Sequence, residues 1–309
     1  MTRPPAIRAA LDTTPLRQTR AGTARYVRAL RDELDVVEVS YPATSRARTL
    51  AADVFWYPRL HADADVLHCP TFRGPLRARQ PVVVTVHDLA VLRHPGWFNR
   101  WTRTYSRFAV PRVVHAASRV IAVSEFTKRE LVALLDVEPD KIQVVPNGVE
   151  DVFTSEGPRA DGEYALAVGT LEPRKNLARI AQAVDGELRV VGARGWGGVE
   201  PPPNVTFLGD VPDDELAALY RGARCLVYAS LYEGFGIPVA EALATGCPIV
   251  TSAGSAMEEI AGDDATYVDP TSVESIRDGI ARATPPAPRR VASWPDVAAL
   301  TWSVYEEVA

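Results

Sequence analysis

The sequence predicts an α/β protein built on two parallel β-sheets. Short runs rich in β-branched residues alternate with helical segments along most of the 309 residues, and this alternation is typical of β-α-β units. The alternation is interrupted at residues 150–163, where acidic residues, glycine and proline are mixed without the period of a helix or a strand. We interpret this interruption as a linker, and the chain as two Rossmann-like domains with a cleft between them.

The first half of the chain, residues 1–150, is assigned to one domain. Its predicted strands are Ala6–Leu11, Val36–Val39, Val66–Cys69, Val82–Val86, Arg119–Val123 and Ile142–Val145. The spacing of apolar residues predicts helices at Gly22–Leu34, Phe98–Ala117 and Glu125–Leu135.

Residues 151–292 repeat the pattern and are assigned to a second domain. Its predicted strands are Tyr164–Val168, Leu188–Val191, Val205–Leu208, Cys225–Ala229, Pro248–Thr251 and Thr266–Val268. Its predicted helices are Asn176–Val184, Asp213–Gly222, Pro238–Ala244, Ser255–Ile260 and Val273–Ala283. Residues 293–309 form a closing segment with one more helix, Trp294–Val308.

The composition is that of a soluble globular protein, with 47% apolar and 24% charged residues. A net charge of −5 gives no general attraction to nucleic acid. No apolar run is long enough to cross a membrane, and no signal-peptide core is present at the N-terminus. Cys69, Cys225 and Cys247 lie far apart, so neither a zinc site nor a disulfide framework is indicated. We expect a protein of the reducing cytoplasm.

Binding sites of parallel sheets form at the carboxyl ends of strands, and LYEGFGIPVAEA, residues 231–242, follows the strand ending at Ala229. Its two glycines allow a tight loop, and Pro238 suits a first helical turn. Glu233 on the loop and Glu241 in the first turn would then accept hydrogen bonds from sugar or ribose hydroxyls. The alternative is that Glu241 complements the helix dipole and Glu233 is solvated.

GTLEPRKN, residues 169–176, follows the strand Tyr164–Val168. Arg174 and Lys175 are predicted at a helix start, where cations oppose the helix dipole unless an anion is shared between them. A diphosphate fits this pair, because arginine binds phosphate bidentately and lysine acts as a point charge. The alternative is an exposed basic turn.

Two other strand-end loops carry less specific signals. His87 follows the strand Val82–Val86 and could bind a substrate hydroxyl or transfer a proton. Gly22 follows the first strand and would allow the backbone to approach phosphate. Asp63-Ala64-Asp65 matches the DxD of metal-dependent sugar transferases, but it precedes a strand, so no metal site is assigned.

A basic and aromatic segment extends from Leu89 to Ser124. It contains no acidic residue and six arginines: Arg93, Arg100, Arg103, Arg107, Arg112 and Arg119. Trp101, Tyr105 and Phe108 follow a helical spacing. We interpret the aromatic residues as core and the arginines as a solvated face. The alternative is a peripheral contact with an anionic membrane through the arginines.

The loops resemble, in order, the motifs of family 4 glycosyltransferases, which are retaining enzymes of the GT-B fold. The matching stretches are RAGTARYVRAL, VVVTVHDL, IAVSEFTKREL, VVPNGVE, AVGTLEPRKN, FLGDVPDDELAALYRGA and SLYEGFGIPVAEALATGCPIVTSAGSAMEE. They cover nearly the whole chain, and the pair Glu233 and Glu241 around FGIP is the most specific. The resemblance implies two parallel sheets facing across a cleft, with the helix Trp294–Val308 crossing back to the N-terminal domain.

The resemblance also implies roles for individual residues. The donor sugar would be bound by Glu233 and by the backbone of Phe235, Gly236 and Ile237, with His87 near the reacting centre. The diphosphate would be bound by Arg174, Lys175 and Gly22. The ribose would be bound by Glu241, and the base by backbone groups at Val211. His87 and Glu233 are assigned to the catalytic centre, His87 as a positioning group more than a base. Thr170 stands where many members have arginine, and Ala24 where a second glycine is common.

The implied reaction moves a sugar from a nucleotide diphosphate sugar to an acceptor hydroxyl with retained configuration. No metal or cofactor is expected, and the departing phosphate takes the acceptor proton. The donor is expected to be GDP-mannose, with UDP-glucose and UDP-N-acetylglucosamine as alternatives. The acceptor would be a glycan, a lipid-linked saccharide or a small molecule. Alternatives for the function are a nucleotide-sugar epimerase of the same fold and a non-catalytic scaffold that binds nucleotide sugar.

Overall fold

Two parallel sheets of six strands each form the framework of the structure, a computed structural model that describes residues 7–18, 22–42, 48, 51–194 and 204–309. The chain divides into two units, one comprising Met1–Asn147 with Trp294–Ala309 and the other Gly148–Ser293. The predicted α/β class and parallel sheets are confirmed.

The first sheet has the order β2-β1-β3-β4-β5-β6, and every neighbouring pair is parallel. Its strands are β1 (Ala9–Asp12), β2 (Val36–Val39), β3 (Val66–Cys69), β4 (Val82–Val86), β5 (Arg119–Ala122) and β6 (Ile142–Val144). β-branched residues fill β4, which is buried throughout, as expected for a strand covered on both faces. In this order, β2 neighbours β1 on one edge and β3 neighbours it on the other, so the direction of strand addition reverses after β2. The topological switch point, where α/β sheets bind ligands, therefore lies between β1 and β3.

The helices of this unit begin with α1 (Pro15–Gln18), α2 (Gly22–Glu33), α3 (Ala90–Arg93), α4 (Arg100–Ala116) and α5 (Glu125–Leu135). Shorter helical turns occur at Ala52–Trp56, Tyr57–Arg59, Pro95–Trp97 and Pro139–Lys141. Helix α4 begins two residues later than predicted, because the Asn99 side chain accepts a hydrogen bond from the Thr102 amide at 2.9 Å and caps the helix there.

Helix α4 corrects one interpretation of the sequence. Its buried residues are Ser106, Val110, Val113 and Val114, whereas Trp101 is 50% and Phe108 55% exposed. The interpretation of these aromatic side chains as core is therefore wrong. Small and β-branched residues fill the space beneath this helix, and the two large rings lie on its solvent side.

The second sheet has the order β12-β11-β10-β7-β8-β9, again with parallel neighbours. Its strands are β7 (Tyr164–Val168), β8 (Glu187–Val191), β9 (Val205–Gly209), β10 (Cys225–Tyr228), β11 (Ile249–Ser252) and β12 (Thr266–Val268). Its helices are α6 (Leu177–Ala183), α7 (Asp213–Gly222), α8 (Ile237–Thr245), α9 (Ala256–Ala261) and α10 (Val273–Arg282), with short turns at Pro173–Lys175 and Gly262–Asp264. The switch point of this sheet lies between β7 and β10.

The last helix, α11 (Trp294–Val308), belongs to the first unit, as the resemblance implied. Tyr305 on this helix lies 2.7 Å from Nδ1 of His68, and Nε2 of His68 lies 2.8 Å from the Thr85 hydroxyl. His68 is completely buried, and burial lowers its pKa to about 3. A neutral imidazole therefore connects the closing helix to strands β3 and β4.

Candidate active site

The two loops that flank the switch point of the second sheet bring together the charged residues that the sequence singled out. The loop after β7 carries Arg174 and Lys175, and the loop after β10 carries Glu233. One oxygen of Glu233 lies 2.6 Å from Nζ of Lys175, and the other lies 2.5 Å from Nη1 of Arg174. The Glu233 carboxylate therefore bridges the two cations.

The backbone of the β7 loop explains how Lys175 reaches this position. Gly169 has φ of +143°, and a Cβ there would lie 2.9 Å from Cε of Lys175. The backbone conformation thus favours glycine here, and its missing side chain leaves room for the lysine stem. Asn176 fixes the end of the loop, since its Nδ2 donates to the carbonyls of Ala229 and Pro270 at 2.9 and 2.7 Å.

The two cations lie immediately before a helix, where the sequence predicts them. Arg174 and Lys175 lie in a 3-10 turn, Pro173–Lys175, and α6 begins at Leu177. Both side chains are mostly buried, at 18% and 15% exposed, so the alternative of an exposed basic turn is wrong.

Ion pairs and burial set the charge state of this cluster. Burial by itself raises the pKa of Glu233, but the charges and hydrogen bonds of Arg174 and Lys175 outweigh it and lower this pKa to about 2. Burial lowers the pKa of Lys175, and the charge of Glu233 partly offsets that effect. Glu172 adds a second carboxylate, whose Oε1 lies 2.6 Å from Nε of Arg174. Glu233 is 6% exposed, so the alternative that it is solvated is wrong.

Glu241 lies behind the loop, on helix α8. It is the fifth residue of α8 and 2% exposed, so its predicted place in the first helical turn is wrong, as is the alternative that it complements the helix dipole there. The Tyr220 hydroxyl donates a hydrogen bond to its Oε2 at 2.8 Å. Ahead of it, Gly236 adopts φ of +101° as the N-cap of α8, which turns the chain from the buried Phe235 into the helix that starts at Ile237.

The first unit contains a cavity of about 250 Å³ at its own switch point. Its walls come from the segments after β1, β3 and β4: Pro15, Gln18, Thr23, Thr71, Phe72, Arg73, His87 and Asp88. Nε2 of His87 lies 3.0 Å from the Pro70 carbonyl, to which it donates, and burial lowers the pKa of His87. A neutral imidazole in this tautomer has Nδ1 as a hydrogen-bond acceptor.

Gly22 and Ala24 lie beside this cavity wall on helix α2. Gly22 is the first residue of α2 and is exposed. Ala24 is completely buried, and its methyl group packs in the core of the unit. The methyl that replaces a second glycine therefore faces the core, away from solvent.

Comparison with protein families agrees with this architecture. The family model for Glycosyltransferase Family 4 matches residues 14–153. The model for Glycosyl transferases group 1 matches residues 197–286. The chain belongs to glycosyltransferase family 4.

A curated family 4 relative is the O-antigen chain mannosyltransferase B of Escherichia coli. It is 30% identical over 243 residues, which make up 68% of this chain and 63% of that protein. The chain thus matches about three fifths of the length of this relative.

Solved structures show that the chain has the GT-B fold. The sucrose-phosphate synthase of Thermosynechococcus elongatus is similar with a TM-score of 0.71 at 18% identity, covering 97% of this chain and 98% of that chain. HepE of Anabaena, solved in complex with UDP-glucose, has a TM-score of 0.65 at 15% identity, covering 98% and 95%.

The structure adds three residues to the candidate family 4 site. Tyr228, the last residue of β10, accepts a hydrogen bond from Nζ of Lys175 at 2.6 Å. Its position at the carboxyl end of a predicted strand is the sequence signal that indicates it. Glu172 lies in the GTLEPRKN motif itself. Tyr220 pairs with Glu241 across 21 positions of sequence, and no sequence signal indicates that pairing.

Val211 lies in the loop between β9 and α7 and is half-buried. Asp63 and Asp65 both contact Arg8, through its guanidinium at 3.1 Å and its backbone amide at 2.8 Å. Among the residues that the structure describes, no group of three or more histidine, cysteine, aspartate or glutamate side chains could hold a metal ion. The DxD sequence thus connects the bend before β3 to Arg8, which precedes β1.

Proposed function

We propose that this family 4 protein transfers a hexosyl group from a nucleotide diphosphate sugar to an acceptor hydroxyl, with retained anomeric configuration. The convergence of Arg174, Lys175 and Glu233 at the switch point of the second sheet carries the proposal. Two cations would bind the diphosphate, and an ionised carboxylate beside them would bind sugar hydroxyls.

Each part of the donor has a proposed partner in the second unit. The sugar would be held by Glu233 and by the backbone of Phe235, Gly236 and Ile237, the diphosphate by Arg174 and Lys175, the ribose by Glu241 and the base by Val211. Negative charge develops on the diphosphate as the glycosidic bond breaks, and buried cations stabilise such charge best. Tyr220 orients the Glu241 carboxylate.

We assign His87 to positioning in the first unit. Its Nε2 is held by the Pro70 carbonyl, so Nδ1 would accept a hydrogen bond from a substrate hydroxyl in the cavity. The departing phosphate would take the proton of the acceptor, and no protein nucleophile and no metal ion are part of this mechanism.

We propose mannose as the transferred sugar. The name of the Escherichia coli relative supports this choice, whereas the complex of HepE contains UDP-glucose, so UDP-glucose and UDP-N-acetylglucosamine are the matched comparisons. The acceptor would be a glycan, a lipid-linked saccharide or a small molecule. A cavity of about 250 Å³ in the first unit, whose lining includes Phe72 as well as Arg73 and Asp88, has the size and chemistry for a sugar-sized group.

A thermal-shift panel of GDP-mannose, UDP-glucose and UDP-N-acetylglucosamine tests the donor, since a ligand that binds the folded state raises the unfolding temperature. The donor that raises it most is then incubated without acceptor. An epimerase changes the sugar, whereas a transferase at most hydrolyses the donor slowly. Unchanged function in Glu233→Ala and Lys175→Ala would contradict the proposal and favour a scaffold.

We also propose a cytoplasmic protein that makes a peripheral contact with anionic membrane through helix α4. Trp101 and Phe108 are exposed on this helix, and Arg100, Arg103 and Arg107 are exposed on it as well. Arginines that reach headgroups and aromatic rings that enter the interface are typical of helices that lie on a bilayer. No helix in the described part of the chain is long and apolar enough to span one.

Flotation with vesicles rich in phosphatidylglycerol tests the membrane contact. We expect binding at low salt that is lost at high salt and in a variant with Arg103→Gln and Arg107→Gln. A variant with Arg277→Gln and Arg282→Gln, on helix α10, removes the same charge elsewhere and should still float. Absence of binding at low salt would end the idea.

A further inference from the structure

The bridging position of Glu233 has a consequence for how the diphosphate binds. Its two oxygens contact Nζ of Lys175 and Nη1 of Arg174 at 2.6 and 2.5 Å. Carboxylate and phosphate oxygens bind the same N–H donors with the same geometry. In the structure, Glu233 therefore fills positions on both cations that a diphosphate oxygen needs.

The net charge of this cluster also indicates that Glu233 competes with a diphosphate. Arg174 and Lys175 are balanced by Glu172 and Glu233, so the four buried side chains carry no net charge. A diphosphate would add negative charge to this balanced, largely desolvated group, which is costly unless a carboxylate moves away.

Glu233 is the carboxylate placed to leave. Glu172 lies two positions from Arg174 on the same loop, whereas Glu233 comes from the other loop, 59 positions from Arg174. Lys175 keeps a second partner when Glu233 departs, because its Nζ also donates to Tyr228 at 2.6 Å. The two cations can thus keep their places while the Glu233 oxygens are exchanged.

We propose that the donor diphosphate displaces the Glu233 carboxylate from Arg174 and Lys175, and that this displacement gives Glu233 its oxygens for the sugar hydroxyls. This inference rests on the proposed function. Glu233 then acts twice: it opposes the binding of a diphosphate that carries no sugar, and it favours one that does. The site discriminates against the sugarless nucleotide, which is the product of transfer.

This inference is tested by whether substitution of Glu233 raises or lowers the affinity for diphosphates that carry no sugar. Calorimetric titration with GDP, UDP and inorganic pyrophosphate is compared for the wild type, Glu233→Gln and Glu233→Asp. If Glu233 competes, Glu233→Gln binds the sugarless diphosphates about tenfold more tightly than the wild type, and Glu233→Asp, whose carboxylate is drawn back by one carbon, lies between them. Glu187→Gln, which breaks a glutamate–arginine pair elsewhere in the unit, should leave these affinities unchanged.

The opposite result has a clear meaning. If Glu233 only holds the cations in place, Glu233→Gln binds diphosphate more weakly or equally well, and the inference is overturned. Absence of diphosphate binding to Glu233→Gln overturns it too. The proposed function is judged separately by sugar transfer with the wild-type protein, so transfer without the expected gain in affinity refutes the displacement alone.

Discussion

Tyr220 donates a hydrogen bond to Oε2 of Glu241 at 2.8 Å, and both side chains are buried. Burial, with Glu241 close by, raises the pKa of Tyr220 well above its ordinary value, so the phenol stays a donor at any working pH. The hydrogen bond from Tyr220 thus fixes the orientation of the Glu241 carboxylate toward a bound ligand. The pair belongs to helices α7 and α8, which pack against each other.

Replacing Tyr220 by phenylalanine should therefore loosen Glu241 without removing it. We expect the Kd for the nucleotide to rise about threefold to tenfold, because losing a typical hydrogen bond costs about 0.5–1.5 kcal/mol, while kcat changes little. Donor titration and steady-state kinetics measure both. Tyr267→Phe removes a hydroxyl that donates to the Gly262 carbonyl, and it serves as the control. A fall in kcat with unchanged Kd would contradict this role.

Lys175→Met should reduce the rate of sugar transfer at saturating donor by about 10²–10³-fold, because a buried cation beside the leaving diphosphate is removed. The matched control is Lys128→Met, on helix α5 of the first unit, for which we expect the wild-type rate. Rates are measured by release of nucleoside diphosphate in the presence of acceptor. A Lys175→Met variant with a native unfolding curve and normal turnover would exclude this lysine from the chemistry.

Acid should remove part of the stability of the second unit through Glu233. Its pKa is lowered from 4.5 to about 2 in the fold, so its contribution to the free energy of unfolding is complete above pH 4.5 and is lost as the pH falls toward 2. The contribution is roughly 3 kcal/mol at most. Urea unfolding at several pH values should show a steeper loss for the wild type than for Glu233→Gln. Parallel curves would show that the ion pairs add nothing to stability.

Tyr305→Phe should destabilise the first unit by about 1–3 kcal/mol, because Nδ1 of the buried His68 loses its partner. Ser303→Ala, on the exposed side of the same helix, should change the free energy of unfolding by less than about 0.5 kcal/mol. Denaturant unfolding measures both variants. Equal stability of the two variants would mean that His68 finds another partner.

The strands were predictable because apolar β-branched runs in a parallel sheet carry a strong local signal. Val66–Cys69, Val82–Val86 and Tyr164–Val168 were predicted with the bounds that the structure has. The loops of the candidate site were predictable because binding sites of parallel sheets form at the carboxyl ends of strands. The contacts between their side chains were not, because Glu233 meets Arg174 and Lys175 only through the order of strands in the sheet.

Other features depended on packing that sequence spacing cannot show. The period of helix α4 fits either face as the buried one, and the valines rather than Trp101 and Phe108 fill the core. The pairing of Tyr220 with Glu241 depends on how α7 and α8 meet, for which no local pattern exists.

The position of the closing helix α11 at the end of the chain affects when the first unit can finish folding. The first unit contains His68, yet the partner of its Nδ1, Tyr305, is translated only after all of Gly148–Ser293. A nascent chain that stops before Trp294 leaves a buried imidazole of the first unit unsatisfied, even though every strand of its sheet has been made. Folding of the first unit is thus completed only after α11 has been synthesised, and a truncation near residue 294 would destabilise the N-terminal sheet of that same unit.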